Sequence, residues 1–281
     1  MILVTGATGN IGGEVARILH ERGLKTRVLV RDPQRAAGLP AGIERVTGDL
    51  GRPETLAPAL EGVGRVFLME ASHGSEHTAA MATAAARAGV RHIVDLSSMG
   101  VTFQPMPVMG RWHAAREDIL TASGLDVTFL RPSTLMSNAL WWLPSIRARG
   151  VVADPVGPGR LSSVDPADVA AVAAAALTED RHAGQAYVLT GRELLTVREQ
   201  VGILSGVLGR EIGYAEQTPQ EAAQARLEQG APRGLVEASR ELNELFRADR
   251  IAFLTGEVER LTGRAPRTFE NWCERNAALF A

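Results

Sequence analysis

Short apolar runs alternate with segments of helical periodicity from the first residues of the chain. Ile2–Thr5 is a strand-like run leading into glycines. Ile11, Val15, Ile18 and Leu19 then repeat at helical spacing, and Gly23 acts as a stop signal. The same reading predicts strands at Thr26–Val30, Ile43–Val46, Arg65–Met69, His92–Leu96 and Val127–Leu130, with helices at His77–Ala88 and Trp112–Ala122. Regular alternation of this kind predicts a parallel sheet with helices on both faces. The pattern changes near Val151. Asp154–Gly159 reads as a loop, Pro166–Leu177 as a helix with Asp165 as N-cap, Ala186–Thr190 as a late strand, and the remainder from Thr196 as mostly helical.

The 281 residues suffice for one α/β domain with a small appendage. The organisation expected is residues 1–150 as a ligand-binding domain and 151–281 as a mostly helical part, interleaved with the first and not independent. Net charge is −2 with both signs mixed along the chain. No basic stripe suggests a nucleic-acid partner. The longest Ala/Val run, Val169–Leu177, is too short for a membrane span. Met1–Gly6 already reads as strand and turn rather than as a secretory signal, so a cytoplasmic location is expected. Cys273 is the single cysteine, expected to pack inside a C-terminal helix.

The most informative motif is Gly6-Ala7-Thr8-Gly9-Asn10-Ile11-Gly12, set between a strand and an amphipathic helix. In this setting the first glycine permits the turn and the second lets a pyrophosphate approach the backbone. The third lets helix and strand pack closely. The helix start then offers free N–H groups and partial positive charge to phosphate. A dinucleotide site follows, with Gly6, Thr8, Gly9, Asn10, Ile11 and Gly12 as its grip. Which dinucleotide is decided after the second strand, which reads Val30-Arg31-Asp32-Pro33. An acid there suits the ribose of NAD, whereas an arginine accommodates the 2′-phosphate of NADP. Arg31 comes first, Asp32 before a proline reads as a turn residue, and Arg35 offers a second guanidinium. NADP(H) is therefore expected over NAD(H). Asp49 and Leu50 follow the third strand, where Asp49 either receives an adenine amino group or caps a turn. Met69, Ser97 and Pro132 end later strands and complete the expected cofactor contacts.

These segments carry a resemblance. Together with Leu96-Ser97-Ser98-Met99-Gly100, Gly124 to Pro132, and Val164-Asp165-Pro166-Ala167-Asp168-Val169-Ala170, the chain resembles the atypical short-chain dehydrogenase/reductases. It is most similar to their NmrA-like branch, which includes NAD(P)H quinone and triphenylmethane-dye reductases. The resemblance implies an α/β fold, a Rossmann-type doubly wound parallel sheet with a small, mostly helical C-terminal substrate-binding part. It also implies an NADPH-dependent oxidoreductase with a small-molecule substrate; a homodimer is left open.

The chain departs from the wider family at its proton-handling pair, Tyr-x-x-x-Lys. Lys25 is the only lysine, and neither Tyr187 nor Tyr214 has a lysine four residues on. If Glu117 matches the family glutamate on its helix, the lysine position holds His113 and the tyrosine position Met109. Alcohol–ketone chemistry then loses its acid, as does epimerisation by transient oxidation. Hydride transfer to a conjugated, electron-poor acceptor such as a quinone or azo compound needs no protein acid. Candidate catalytic residues are His113, as acid or as partner of the nicotinamide ribose, Ser98 and Asn138. Trp141 and Trp142 are adjacent, so either one is buried and one walls a cleft for a planar substrate, or both serve packing alone. No metal is expected; His73 and His77 stand four apart without a third ligand. The competing reading is a non-catalytic NAD(P) sensor that binds a protein partner.

Overall fold

The computed structural model describes residues 1–70 and 74–280. Its chain forms two compact units. One comprises Met1–Thr102, Gly110–Pro132 and Pro166–Leu189; the other comprises Phe103–Met109, Ser133–Asp165 and the chain from Thr190 onward.

The first unit is built on seven strands: β1 (Ile2–Val4), β2 (Thr26–Val30), β3 (Glu44–Thr47), β4 (Arg65–Leu68), β5 (His92–Leu96), β6 (Asp126–Pro132) and β7 (Ala186–Leu189). All pair in parallel, in the order 3-2-1-4-5-6-7. The order reverses between β1 and β4, where sheets of this kind bind ligands at their carboxyl ends. The fold is thus a Rossmann-type α/β sheet, as the alternating pattern predicts. The strands are rich in Val, Ile and Leu because both sheet faces are covered. On one face Leu3, Leu29, Val66, Leu68 and Ile93 pack with Met81 and Ala85 of helix α2 (Glu76–Ala88) and with Leu120 of helix α3 (Val108–Ala122). Strand alternation sends Val4, Val28, Val30 and Phe67 to the other face. Helix α1 (Gly12–Glu21) contacts β1 and β2 and packs against helix α4 (Pro166–Ala176).

In the second unit, strand Val151–Asp154 pairs with Gly213–Glu216, and two-residue strands pair Arg160–Leu161 with Leu195–Thr196. Gly213–Glu216 lies where the sequence reads as mostly helical, and the other three strands carry no strand signal in the sequence. They are short and partly exposed, so no period of two reaches the sequence. The segment expected as a loop, Asp154–Gly159, starts on the last residue of a strand. There the buried Asp154 carboxylate accepts from Val156 N and Gly157 N, both at 2.9 Å, and from Tyr214 Oη at 2.8 Å. Helices Val197–Leu208, Pro219–Glu228 and Phe269–Asn276 each begin with a threonine whose side chain closes a capping box. Asp165 accepts a charged hydrogen bond from Arg275. Cys273 is fully buried, as expected, and burial pushes its thiol up to about 12. Among the described residues no helix is long and apolar enough to cross a membrane.

Candidate dinucleotide site

The turn after β1 is shaped by contacts that only glycine permits. Gly6 has φ +65°, the left-handed region that costs other residues energy. A Cβ on Gly12 would lie 2.5 Å from Gly6 O and 2.7 Å from Thr5 O, so the third glycine is required for the helix to approach the strand. A Cβ on Gly9 would meet only Gly6 O, at 3.3 Å. Helix α1 starts without a side-chain cap; Gly13 N donates to Gly9 O at 3.1 Å, leaving Gly12 N and Glu14 N in the first turn for a ligand. Thr5 fixes the turn across the reversal of strand order: its Oγ1 accepts from Met69 N at 2.7 Å and donates to Met69 O at 2.9 Å.

A cavity of about 390 Å³ opens beside this turn, and the carboxyl ends of β1 to β4 line it. It brings together the expected residues Gly6, Thr8, Arg31, Asp49, Leu50 and Met69, with Arg35 as well. Arg31 and Arg35 are exposed at its rim, and among the described residues neither is engaged in an ion pair. Asp32 is the turn residue expected, its Oδ1 accepting from Gln34 N at 2.9 Å. Asp49 caps its turn, with Oδ1 accepting from Gly51 N at 2.9 Å, while its side chain still borders the cavity. Uncapped helix, glycine-limited turn and unpaired guanidinium groups all fit a nicotinamide dinucleotide.

Other expected residues fall elsewhere. Asn10 and Ile11 lie in the turn outside the cavity lining, and Ile11 is buried. Ser97 Oγ donates to Glu117 Oε1 at 2.5 Å, so this hydroxyl is spent inside the protein. Ser98 Oγ accepts from Gly100 N at 3.1 Å and caps the turn after β5. Pro132 ends β6 opposite Leu189. His113 is half-buried on α3, with a buried Nδ1 that has no hydrogen-bond partner. Burial and the neighbouring Arg116 guanidinium push its pKa down to about 4. At neutral pH it is therefore a neutral hydrogen-bonding ring, not an acid. Asn138 belongs to the second unit, in the short helix Met136–Trp142. The paired role expected for the tryptophans is corrected: Trp141 is 77% exposed, and Trp142 is half-buried with its ring 6.5 Å from that of Phe269. This helix is of the 3-10 type, and its last turn directs one ring into solvent. No group of metal ligands occurs among the described residues; His73 lies outside them.

An ionic cluster that sequence reasoning did not anticipate borders the site. Glu70 follows Met69 at the end of β4, and its side chain is 2% exposed. Its Oε1 accepts from Arg116 Nε at 2.6 Å and from Thr78 Oγ1 at 2.9 Å. Glu117 pairs through both oxygens with Arg131. Asp95 is fully buried, and its Oδ2 has no partner. Burial, with Glu117 nearby, pushes Asp95 up to about 8. With Asp95 protonated, Glu70 and Glu117 balance Arg116 and Arg131.

Comparison with known proteins agrees with this geometry. A family model described as NAD(P)H-binding matches residues 6–180. The chain is 38% identical to an NAD(P)H azoreductase of Xenophilus azovorans over 283 residues, covering 100% of this chain and 99% of that protein. It is 42% identical to a (4-alkanoyl-5-oxo-2,5-dihydrofuran-3-yl)methyl phosphate reductase of Streptomyces griseus, again covering 100% and 99%. The crystal structure of an NADPH-dependent quinone oxidoreductase from Escherichia coli, complexed with NADPH, shares the fold with a TM-score of 0.85. That match has 27% identity and covers 100% of each chain.

Proposed function

This chain belongs to the NAD(P)H-binding family and is an NAD(P)H-dependent oxidoreductase, and from that premise we propose that it uses NADPH to reduce small, conjugated, electron-poor acceptors of the quinone or azo type. The observation that carries this reading is the cavity at the reversal of strand order, where a glycine turn shares the lining with Arg31 and Arg35, neither of them in an ion pair among the described residues. Backbone amides at the start of α1 hold the pyrophosphate, with Gly9 leaving room for its approach. Arg31 and Arg35 take the 2′-phosphate, for which a guanidinium provides charge and paired donors. The first unit thereby carries the cofactor, and the second supplies the substrate-binding part, with Asn138 as a donor there.

When bound, the reduced nicotinamide supplies a hydride. What the protein adds is position. If Glu117 matches the family glutamate, His113 takes the lysine's position, and its unpartnered Nδ1 suits a ribose hydroxyl. Because its pKa lies near 4, it gives no proton at neutral pH. Lys25, the only lysine, opens no alternative, since it directly precedes β2. An acceptor is therefore required whose reduced form holds its own negative charge until water protonates it. Quinones and azo compounds meet that requirement; unactivated ketones do not. The names of the azoreductase and the quinone oxidoreductase among the similar proteins support the same substrate class.

The test is NADPH oxidation against a panel of quinones, azo dyes, enones and simple ketones. Turnover with the conjugated members and none with simple ketones is expected. Equal turnover of cyclohexanone and a benzoquinone would refute the proposed acceptor class.

A further inference from the structure

Met69 follows β4 and lines the cofactor cavity beside the glycine turn. Its backbone is fixed, because Thr5 Oγ1 accepts from Met69 N at 2.7 Å and donates to Met69 O at 2.9 Å. Its side chain lies over Gly6. Sδ is 3.0 Å from the point where a Cβ on Gly6 would stand, and Met69 Cβ and Cγ are each 3.3 Å from it. A half-buried thioether thus rests against the residue at which the turn begins. Of the seven methionines, Met81, Met99 and Met136 are buried, and Met1, Met106 and Met109 lie outside the cavity lining. Cys273, the single cysteine, is fully buried, and its raised pKa keeps it a thiol at neutral pH, so it offers an oxidant no thiolate. The sulfur that an oxidant meets in the cavity is that of Met69.

We propose that Met69 is a site of oxidation by hydrogen peroxide, and that its sulfoxide closes the cavity to NADPH. The proposal rests on the nicotinamide-nucleotide reading above and adds control of that site by an oxidant. The sulfur attacks one peroxide oxygen. An S–O bond forms as the O–O bond breaks; sulfur gives up two electrons, and the departing hydroxide takes the proton of the transferred hydroxyl and leaves as water. The thioether, flexible and apolar, becomes a polar group whose oxygen carries partial negative charge. Beside Gly6 that oxygen stands where the turn receives a phosphate, so it both crowds and repels the pyrophosphate. Rotation gives little relief, because Met69 Cβ and Cγ already pack against Gly6 from a fixed backbone. Dioxygen returns hydroquinones to quinones and is itself reduced to hydrogen peroxide, so turnover of the proposed substrates is one source of the oxidant.

The experiment treats the protein with hydrogen peroxide, with and without saturating NADP⁺, and then removes peroxide and nucleotide. Mass spectrometry maps the oxidised methionines, and calorimetric titration measures the affinity for NADPH. Met69 should carry the sulfoxide in the unprotected sample and be spared in the protected one. The unprotected sample should bind NADPH at least ~10-fold more weakly than untreated protein, the effect of overfilling a packed contact. Methionine sulfoxide reductases A and B together should restore the affinity. Met69→Leu keeps an apolar side chain of similar volume. Against its own untreated sample, peroxide should leave its affinity where it was, although Met106 and Met109 still oxidise. Met69→Gln sets an amide where the sulfoxide would stand and should weaken NADPH without peroxide. Undiminished affinity in protein oxidised at Met69 would overturn the proposal while the NADPH reading stood. So would an equal loss in Met69→Leu, which would place the sensitive sulfur elsewhere, and so would a Met69 left intact while Met106 and Met109 are converted. Untreated protein that binds no NADPH would overturn both. The comparison of protected with unprotected wild type needs no variant, so the test stands should Met69→Leu fail to fold.

Discussion

Gly12→Ala separates the two tasks of the glycine turn. The added Cβ would lie 2.5 Å from Gly6 O, 2.6 Å from Gly6 C and 2.7 Å from Thr5 O. All three are backbone atoms of the turn that follows β1, so no flexible side chain can yield. Helix α1 would have to lift, but Val15, Ala16 and Leu19 are fully buried and the helix also packs on α4. Overpacking of this kind costs roughly 1–3 kcal/mol, and a clash with rigid backbone belongs at the upper end. For a domain of this size, ~3 kcal/mol lowers Tm by about 6–12 °C. Gly9→Ala provides the contrast, since its Cβ would meet only one carbonyl oxygen at 3.3 Å. It should unfold within about 2 °C of the wild type yet lose at least ~10-fold in affinity for NADPH, because the methyl group occupies the approach to the pyrophosphate. Thermal denaturation without nucleotide measures the first effect, and titration with NADPH measures the second. A Tm of Gly12→Ala equal to that of the wild type would refute the close-packing argument. Full affinity in Gly9→Ala would refute the assignment of the turn.

Three further outcomes are expected. Arg31→Ala should weaken NADPH about 10- to 100-fold and leave NADH nearly unchanged, as measured by competitive titration; loss of both to the same degree would remove the 2′-phosphate contact. His113→Ala should lower kcat more than it raises the Kd of NADPH, and no wild-type ionisation near pH 6.5 should vanish with the ring, because its pKa is already near 4. Asp95 is the pH-sensitive case. Its folded pKa is raised to about 8, so between about pH 4 and pH 8 the unfolded chain releases a proton that the folded chain retains, and stability falls as pH rises. Asp95→Asn should therefore gain stability relative to the wild type between pH 5 and pH 8 in urea unfolding; a constant difference would contradict the buried, protonated carboxyl.

How much of this was legible in sequence follows from how local each feature is. Strands β2 and β5 fall on the residues expected, Thr26–Val30 and His92–Leu96, because a β-rich run bounded by turn or helix signals is a local property. That Gly6, Arg31, Asp49 and Met69 line one cavity was legible for a similar reason: each lies within two residues of the end of a strand that the pattern reveals. Ser97 shows where that logic stops. Its place at the end of β5 was evident, but not that its hydroxyl would turn inward to Glu117, twenty residues on. The cluster of Glu70, Asp95 and Arg116 depends wholly on packing. An acid directly after the apolar run of β4 was its one local signal. Strand Gly213–Glu216 exists only by virtue of its pairing with Val151–Asp154, and nothing within its four residues announces a strand.

The composition of the first unit from three separate stretches of chain sets an order of events at the ribosome. Strand β6 is complete at Pro132, but the strand that covers its open edge ends at Leu189, after the helix that packs on α1. At roughly 5–20 residues per second, translation leaves that edge bare for several seconds. A nascent polypeptide halted in this interval exposes an unpaired hydrogen-bonding row along β6, which is the state most open to chaperone capture or to pairing with another unfinished chain.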